Sequence, residues 1–545
     1  MTFSILEHVI RNIQLRFLNT VAELHQWRRE ESSTSLHFVP TMGSLHRGHQ
    51  SLIQRAHRRA AATSGLVIVS VFVNPLQFGP EEDLRRYPRD LNYDAKFAYS
   101  SGANILFAPN ADDLFPGGDP WITKVQPPSS LDRQLCGLSR PGHFEGVATV
   151  VCRLLALIQP QRLYLGEKDW QQLVILRRVL RELGYPVKIE ACATVREVDG
   201  LACSSRNRYL TAEECRQATH LSLSLANVRH RHSSARNSSL APSFIESVHR
   251  RCANAGLAVE YVQLVDAHSL QPRQSIHGLC VLAAAVSCGA TRLIDHVFMM
   301  NRSPIVAIDG PAGAGKSTVT RAFADRVGLL YLDSGAMYRA VTWWMIHQGV
   351  DPVDPTAVER LMQGFQLKLT RVPGGTQEVL INGNDVSEVI RSPAVTAQVS
   401  TVAALQGVRE ALTAQQQAMG RRGGLVAEGR DIGTAVFPQA DCKIFLTASV
   451  EERARRRAQD MKNKGFPVPS LDALENQICQ RDYQDSTRKI APLRKAEDAV
   501  ELVTDGMRIG EVVQELVDLF RARIPEDAWP EPTSLGIGQE KPFVQ

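Results

Sequence analysis

Short hydrophobic runs alternate with helical patterns in both halves of the chain. In the first half, residues 36–39 form such a run and stop at Pro40, and a helical pattern follows over about residues 50–62. Residues 66–73 are then a continuous β-branched run, typical of a strand buried on both faces of a parallel sheet. This order predicts a right-handed β-α-β unit whose ligands bind beyond the carboxyl ends of the strands.

A glycine-containing segment follows a hydrophobic run in each half. P-T-M-G-S-L-H-R-G-H spans residues 40–49, and I-D-G-P-A-G-A-G-K-S-T spans residues 308–318. The second satisfies G-x-x-x-x-G-K-[S/T] directly after the strand-like run 305–309. Two such segments of different type predict two nucleotide sites. The 545 residues also exceed what one hydrophobic core usually organises, so we expect two α/β units joined end to end.

Composition argues against a nucleic-acid or membrane partner. Hydrophobic residues make up 44% and charged residues 22% of the chain, and the net charge of +5 is small for this length. The ten cysteines show no C-x-x-C pair and no zinc spacing, which favours reduced thiols in the cytoplasm. Residues 1–18 are interrupted by charges and lack a cleavage site, so we predict a helix there rather than an export signal.

His46 and His49 are the first candidates for contact with phosphate. They are three residues apart, so on the first turn of a helix they share a face with the free backbone N–H groups that favour phosphate. Gly48 is expected to let that phosphate approach the backbone closely. An isolated H-x-G-H match is also compatible with two surface histidines on a solvated turn, so the neighbouring motifs have to decide.

Five further motifs supply that context. They are F-V-N-P-L-Q-F-G at 72–79, D-L-R-R-Y-P-R at 83–89, S-R-P-G-H-F at 139–144, G-E-K-D-W-Q-Q at 166–172 and C-S-S-R-N at 203–207. With them, residues 14–295 resemble pantothenate synthetase, the pantoate/beta-alanine ligase. The resemblance implies a Rossmann-like ATP domain, a smaller carboxy-terminal lobe and a homodimer. It also implies that pantoate and ATP form pantoyl adenylate and pyrophosphate, after which the beta-alanine amine displaces AMP.

The same resemblance assigns residues of this chain to the site. His49, as proton donor, would act with His46, Lys168 and Arg206 on the negative charge that develops. Pantoate would be held by Gln77, Gln172 and Asn74, because an amide both donates and accepts hydrogen bonds. The residues that would line ATP are Met42, Gly43, Ser44, Leu45, His46, Arg47, Gly48, His49, Gly166, Glu167, Lys168, Asp169, Val195, Cys203, Ser204, Ser205 and Arg206. Cys203 stands where the family more often has leucine, and we expect activity to be retained.

The glycine-rich segment of the second half predicts an ATP site of the P-loop type. Its residues are Gly310, Gly313, Gly315, Lys316, Ser317 and Thr318. The glycines expose backbone N–H groups to the phosphates, Lys316 bridges the β- and γ-phosphates, and Ser317 ligates the magnesium ion that enters with ATP. A chance glycine-rich turn is the alternative, and the strand before it argues against that.

Downstream motifs indicate which group accepts the phosphate. They are L-D-S-G-A-M-Y-R at 332–339, G-V-R-E-A-L at 407–412, E-G-R-D-I-G-T at 428–434 and R-D-Y-Q-D-S-T-R at 481–488. With them, residues 303–525 resemble bacterial cytidylate kinase. The resemblance implies in-line transfer to CMP or dCMP, with arginine clamps on the acceptor phosphate. The CMP-binding residues would be Ser334, Arg339, Ser400, Arg409, Arg430, Asp431, Arg481, Asp485 and Arg488.

These resemblances predict the division of the chain. Residues 1–200 would form the Rossmann-like domain, 201–296 its carboxy-terminal lobe, 297–303 a linker and 304–525 the kinase. Within the kinase, an inserted nucleotide-binding subdomain would occupy about residues 354–400, and a lid about residues 451–490. In that lid, Arg456 or Arg457 would reach the phosphates of ATP or lie on a solvated face. Residues 229–239 are predicted to be a mobile surface loop, and 526–545 a disordered tail.

Other interpretations of the sequence stay open. One half could be a catalytically silent nucleotide sensor or scaffold that keeps the fold without the chemistry. Among enzymes, the first half could be a cytidylyltransferase-like or aminoacyl-adenylate-forming enzyme that shares H-x-G-H. The second half could be a UMP or AMP kinase.

Overall fold

The polypeptide divides into two units, and each contains its own parallel sheet. The computed structural model describes residues 15–80, 82–235, 241–370, 378–463, 465–530 and 532. One unit comprises Met1–Asn301 together with Pro525–Trp529, and the other comprises Arg302–Ile524 with Pro530–Gln545. Within the described residues, no helix has both the length and the apolar character needed to cross a membrane.

The first unit is built on six parallel strands. They are β1 (Arg16–Leu18), β2 (Leu36–Thr41), β3 (Leu66–Val71), β4 (Ile105–Phe107), β5 (Arg162–Gly166) and β6 (Lys188–Cys192), in the order β1-β4-β3-β2-β5-β6. After β2, the chain adds β3 on one side of that strand, and it later adds β5 on the other side. Therefore β2 lies at the switch point, where open α/β sheets bind ligands beyond the strand ends.

The helices of this domain carry the connections between those strands. They are α1 (Val21–Glu30), α2 (Arg47–Ala62), α3 (Leu91–Ser100), α4 (Ala111–Leu114), α5 (Ser129–Asp132), α6 (Cys136–Ser139), α7 (His143–Ile158) and α8 (Trp170–Glu182). Helix α7 is buried around most of its circumference, because its sequence is predominantly apolar. Short 3₁₀ helices at Pro75–Gln77, Glu167–Asp169 and Ser205–Tyr209 coincide with predicted site motifs.

A smaller antiparallel lobe completes the first unit. Its elements are α9 (Ala212–Ala235), α10 (Ala241–Asn254), β7 (Ala258–Asp266), β8 (Leu279–Cys288) and β9 (Thr291–Met300). Apolar side chains of both helices and all three strands share one buried core. Strand β8 is buried along almost all of its length, because β7 and β9 flank it and the helices cover it.

Three boundary predictions are wrong in part. Residues 16–18 of the predicted amino-terminal helix form strand β1, and residues 1–14 lie outside the described residues. Residues 229–235 of the predicted loop continue α9, where buried His232 contacts the carbonyl of Met300, whereas residues 236–239 lie outside the described part. Residues 297–300 of the predicted linker pair with β8 as the end of β9, since their apolar side chains extend the lobe core.

The second unit is a parallel sheet with an antiparallel insert. Its strands are β10 (Ile305–Asp309), β11 (Leu330–Asp333), β12 (Leu367–Thr370), β13 (Glu378–Ile381), β14 (Asn384–Asp385), β15 (Leu425–Gly429), β16 (Cys442–Thr447) and β17 (Val500–Val503). Five of them form the main sheet in the order β11-β15-β10-β16-β17, and β12-β13-β14 form the insert. Strand β10 lies at the centre, so the turn that follows it opens at the middle of the sheet edge.

The helices of the second unit follow the same alternation. They are α11 (Lys316–Val327), α12 (Ser334–Gln348), α13 (Pro355–Gln363), α14 (Pro393–Val402), α15 (Gln406–Gly420), α16 (Val450–Asn463), α17 (Leu471–Thr487) and α18 (Ile509–Arg523). The insert is not a separate body, because Val379 and Ile381 share a buried core with Met337 and Val341 of α12. The segment Pro525–Trp529 belongs to the first unit, so the prediction of a disordered tail over 526–545 fails for residues 526–529.

Replacing Gly146 by alanine should destabilise the first unit. A Cβ atom there would lie 2.2 Å from the Leu76 carbonyl oxygen and 2.8 Å from the Gln77 nitrogen, both rigid backbone atoms. Overpacking of this kind costs about 1–3 kcal/mol. Calorimetry should show a lower transition temperature for the first unit and an unchanged one for the second. Gly79→Ala is the control, because a Cβ atom there would lie 3.6 Å from its nearest neighbour. If both variants lowered the transition temperature equally, overpacking at Gly146 would not be the cause.

Candidate active sites

A cavity of about 280 Å³ opens in the first unit at the carboxyl ends of its central strands. Fourteen predicted site residues line it: Met42, His46, Gly48, His49, Gln77, Gly166, Lys168, Asp169, Gln172, Val195, Cys203, Ser204, Ser205 and Arg206. Six others do not line it, namely Gly43, Ser44, Leu45, Arg47, Asn74 and Glu167. The sheet topology thus brings together residues as far apart in the chain as Met42 and Arg206.

His46 and His49 cap the start of α2 through each other. The Nδ1 atom of His46 accepts a hydrogen bond from the Gly48 N–H at 3.1 Å, and Nδ1 of His49 accepts one from the His46 N–H at 3.3 Å. A Cβ on Gly48 would lie 2.9 Å from the His46 ring, so a larger residue there would have to displace that ring. The two rings are 4.1 Å apart between centroids.

Both imidazoles are neutral hydrogen-bond donors rather than cations. Burial and the charges of Lys168 and Arg208 lower the pKa of His46 to about 4. Burial, followed by the charges of His46 and Lys168, lowers the pKa of His49 well below its usual value. Since each Nδ1 accepts a backbone hydrogen bond, the proton of each neutral ring sits on Nε2. Each ring therefore offers an Nε2–H to a ligand.

The backbone before these histidines is held by a carboxylate that sequence reasoning missed. Gly43 and Ser44 both have positive φ, at 80° and 52°. The following turn is fixed because Asp94 accepts the N–H groups of Ser44 at 2.9 Å and Leu45 at 2.7 Å. A Cβ on Gly43 would lie 2.8 Å from that carboxylate. The available signal was an aspartate in the otherwise apolar face of α3, beside buried Ala95 and Ala98.

Gln77 faces the cavity, whereas Asn74 supports it from behind. The side-chain amide of Asn74 donates to Gln77 Oε1 at 3.1 Å and to the Gly146 carbonyl at 3.1 Å, and its Oδ1 accepts the Leu76 N–H. Asn74 is fully buried, so its hydrogen-bonding groups are already used. This differs from the predicted role of Asn74 as a wall of the pantoate pocket, and makes it a positioning residue for Gln77.

The cavity contains two arrangements of charge. Lys168 lies 3.5 Å from Asp169, and although burial opposes it, the Lys168 charge keeps the pKa of Asp169 below its usual value. Arg206 makes two hydrogen bonds to Asp83, at 3.2 and 2.9 Å. Its guanidinium is therefore oriented by a fixed carboxylate before any ligand binds.

Two further features of the wall were missed from the sequence. Arg196 binds Asp295 of β9 through two hydrogen bonds, at 2.7 and 3.0 Å, across 99 residues of sequence. Gln171 holds the segment before α6 through the Leu131 and Gln134 carbonyls and the Cys136 N–H. The predicted Cys203 donates to Glu197, and burial with that neighbour raises the pKa of its thiol to about 12.

In the second unit, the P-loop lysine is folded onto its own loop. The Lys316 ammonium donates to the carbonyls of Gly310 and Pro311, both at 2.8 Å, and it is buried. Burial and the Arg430 charge lower the pKa of Lys316. The hydroxyl of the next residue, Ser317, lies 2.5 Å from Glu428 Oε1 at the end of β15. Sequence reasoning assigned Ser317 and missed Glu428 as its neighbour.

Four arginines of the second unit lie close enough together to repel one another. Burial lowers the pKa of the Arg481 guanidinium, and the charges of Arg430, Arg457 and Arg339 lower it further, against one opposing carboxylate, Asp485. Arg430 itself binds Asp485 at 3.0 Å. Mutual repulsion of this kind is relieved by a bound anion, so the cluster favours a phosphate group.

Asp431 is held between two arginines beside that cluster. Arg409 and Arg488 both donate to its carboxylate, the latter at 3.3 Å, and Arg409 also donates to the Ala403 carbonyl just after α14. Ser400 lies half-buried in α14. The Ser334 hydroxyl donates a hydrogen bond to the Glu428 carbonyl at 2.6 Å. Arg456, predicted to reach the phosphates of ATP or to lie on a solvated face, donates to the carbonyls of Thr504 and of Ala314 in the glycine-rich loop.

Two family models match the chain. The model of pantoate-beta-alanine ligase matches residues 16–298, and that of cytidylate kinase matches residues 306–522. The bifunctional pantoate ligase/cytidylate kinase of Prochlorococcus marinus (strain MIT 9313) is 60% identical over 93% of this chain and 99% of its own length. The protein of that name from Parasynechococcus marenigrum (strain WH8102) is 56% identical over 94% and 99%. The pantothenate synthetase crystal structure from Thermus thermophilus is 40% identical, covers 52% of this chain and 98% of that one, and has a TM-score of 0.48.

Fold, site geometry and matched length agree on the class. The chain is a two-unit, nucleotide-dependent protein with a Rossmann-like ligase unit and a P-loop kinase unit. It belongs to the family of bifunctional pantoate ligases/cytidylate kinases.

The neutral state of His46 predicts how stability depends on pH. Its folded pKa of about 4 lies below the ordinary value of 6.5, so between these values the unfolded chain binds more protons and stability falls as the pH drops. His46→Asn keeps a capping side chain that cannot titrate. Calorimetry from pH 7 to 4 should therefore show a shallower loss for the first unit of this variant. Exposed His25→Asn serves as the control; an unchanged slope in His46→Asn would contradict the neutral assignment.

Proposed function

We propose that the chain is a bifunctional enzyme. Its first unit uses ATP to join pantoate to beta-alanine, releasing AMP and pyrophosphate, and its second unit transfers the γ-phosphate of ATP to CMP or dCMP. The observation that carries this proposal is that each unit has its own glycine-containing turn at the start of a helix, surrounded by its own hydrogen-bond donors and cations. A catalytically silent sensor or scaffold would not need a set of donors and cations in each of the two units.

In the first step of the ligase reaction, a pantoate carboxylate oxygen attacks the α-phosphorus of ATP and the bond to pyrophosphate breaks. Negative charge repels this attack, so the site has to stabilise the charge that builds on the α-phosphate oxygens. The Nε2–H groups of His46 and His49 donate hydrogen bonds to those oxygens without themselves becoming charged. Lys168 supplies a full positive charge beside them.

In the second step, the beta-alanine amine attacks the acyl carbon of pantoyl adenylate and AMP leaves with the bonding electrons. The attacking amine passes its proton to the phosphate of the departing AMP, and the Nε2–H of His49 donates a hydrogen bond to that phosphate. Gln77 and Gln172 hold the hydroxyl and carboxyl oxygens of pantoate. These two amides favour a hydroxy acid over the substrates of cytidylyltransferase-like or aminoacyl-adenylate-forming enzymes.

In the kinase reaction, a phosphate oxygen of CMP attacks the γ-phosphorus of ATP in line and ADP leaves. No protein nucleophile takes part, so positioning and charge provide the catalysis. Arg339, Arg430 and Arg488 clamp the acceptor phosphate, and Lys316 turns from its own loop carbonyls to the phosphates of ATP. Asp431, held by Arg409 and Arg488, reads the base, and Arg481 and Asp485 hold the ribose hydroxyls.

The donor chemistry next to the P-loop fits magnesium. Ser317 and buried Glu428 present hydroxyl and carboxylate oxygens, which this ion prefers. When bound with ATP, the ion neutralises charge on the β- and γ-phosphates. The protein's part is to hold the Ser317 hydroxyl at the start of α11, while Asp309 keeps the neighbouring turn in place by accepting the Ile432 and Gly433 N–H groups.

The surroundings of the enzyme form the last part of the proposal. All ten cysteines are free thiols and most are buried, which supports a cytoplasmic location. The first unit forms the homodimer that its family resemblance implies. The substrates are ATP, pantoate, beta-alanine and CMP or dCMP.

Two single variants should separate the activities. Lys316→Met removes the P-loop cation and should lower CMP phosphorylation by about 10²–10³-fold, with pantothenate formation retained. His49→Asn should lower pantothenate formation by a similar factor, with kinase activity retained. Both products are measured on each full-length variant. Loss of both activities in either variant would contradict two independent sites. Absence of either activity in the wild type would contradict them as well.

Asp431→Asn tests the assignment of the base-reading residue. Asparagine keeps an acceptor oxygen but loses the charge shared with two arginines, and hydrogen bonds to charged groups contribute about 1.5–3 kcal/mol. We therefore expect kcat/KM for CMP to fall roughly 10- to 100-fold and that for AMP to fall less, because AMP loses only the orientation of Arg488 on the shared phosphate. Exposed Asp351→Asn is the control. Equal turnover of AMP and CMP by the wild type would exclude the cytidylate assignment.

A further inference from the structure

Five residues near the carboxyl end of the chain belong to the first unit. Pro525–Trp529 directly follows the last helix of the second unit in sequence, yet its contacts assign it to the unit with the ligase motifs. Pro525 is buried, and the next four residues are half-buried. The polar atoms of Glu526 and Asp527 contact three elements around the cavity.

The first contact holds a buried carboxylate. Glu167, the second residue of G-E-K-D, is 1% exposed, and its two oxygens accept the N–H groups of Glu526 at 2.8 Å and Asp527 at 2.9 Å. Burial and the Asp527 charge raise the pKa of Glu167 to about 7. A buried carboxyl group needs such donors, so the segment fixes the turn that carries Lys168.

The second and third contacts involve the strands and helix beside that turn. The Asp527 carboxylate accepts the N–H of Thr194 at 3.0 Å, directly before Val195 in the cavity wall. The Glu526 carboxylate pairs with Arg55 of α2, the helix that His46 caps. Arg55 in turn lies 3.7 Å from Glu190 of β6.

We propose that Pro525–Trp529 is part of the ligase site and positions its ATP-binding elements, with Asp527 and Glu526 as positioning residues. This rests on the ligase activity proposed above. The segment joins the G-E-K-D turn, the segment after β6 and helix α2, which together form one side of the cavity. Surface packing alone would not account for hydrogen bonds and ion pairs from both carboxylates and both backbone N–H groups to these three elements.

Asp527→Ala and Asp527→Asn, made in the full-length chain, test the proposal. Alanine removes the acceptor for the Thr194 N–H, whereas asparagine keeps an oxygen that can accept it. We expect the KM for ATP in the ligase reaction to rise about 5- to 10-fold in Asp527→Ala, with kcat within a factor of about two. Asp527→Asn should restore most of the wild-type value. Glu246→Ala, which removes an acid from an exposed surface pair, is the matched control.

Amide hydrogen exchange provides a readout that does not depend on activity. Peptides containing Thr194 should exchange faster in Asp527→Ala than in wild type, while the kinase rate reports that the rest of the chain is folded. An unchanged KM for ATP, or an unchanged exchange rate at Thr194, would overturn the proposal, as would equal defects in the alanine and asparagine variants. Absence of ligase activity in the wild type would refute the proposed function, and the exchange result would still decide whether Asp527 holds Thr194.

Discussion

Both sites depend on the same constraint, which is that the first N–H groups of a helix have no partner inside that helix. The two units meet it differently. In α2, the side chains of His46 and His49 accept two backbone N–H groups, which also determines the ring atom that carries each proton. In α11, the N-cap residue Gly315 has no side chain to accept those N–H groups, and the Lys316 ammonium, itself a donor, lies on the carbonyls of the preceding loop. The first helix start is therefore preorganised by neutral rings, and the second is organised around a movable cation.

Buried carboxylates are the second component common to the two units. Asp94 accepts two backbone N–H groups in the turn before α2, and Asp309 accepts two in the turn after β15. Burial raises the pKa of Asp309 to about 6, against the effect of those hydrogen bonds. Each acid faces backbone rather than a substrate. The residues that would contact phosphate are thus held by acids that do not contact it themselves.

The sequence could predict the parts whose signals are local. The run at 66–73 and the turn at 40–49 predicted a β-α-β unit, and β2, α2 and β3 have that order because hydrophobic period and turn residues determine it. Fourteen of the residues assigned through the resemblance also line the cavity. Pairs such as Arg196 with Asp295, or Asp94 with Ser44, could not be predicted because packing alone joins them across 99 and 50 residues. The polar composition at 229–235 favoured a loop, whereas the anchoring of His232 continues a helix.

The position of Pro525–Trp529 has a consequence for the way the protein is made. The first unit contains residues up to Asn301 and then this segment, so about 220 residues of the second unit are synthesised between its two pieces. At a translation rate of about 5–20 residues per second, the ribosome needs roughly 10–45 seconds to make them. During that time Glu167 lacks the two amide donors that it has in the finished chain. The larger piece of the ligase unit is therefore made well before the segment that completes it, and most of the kinase unit is synthesised in between.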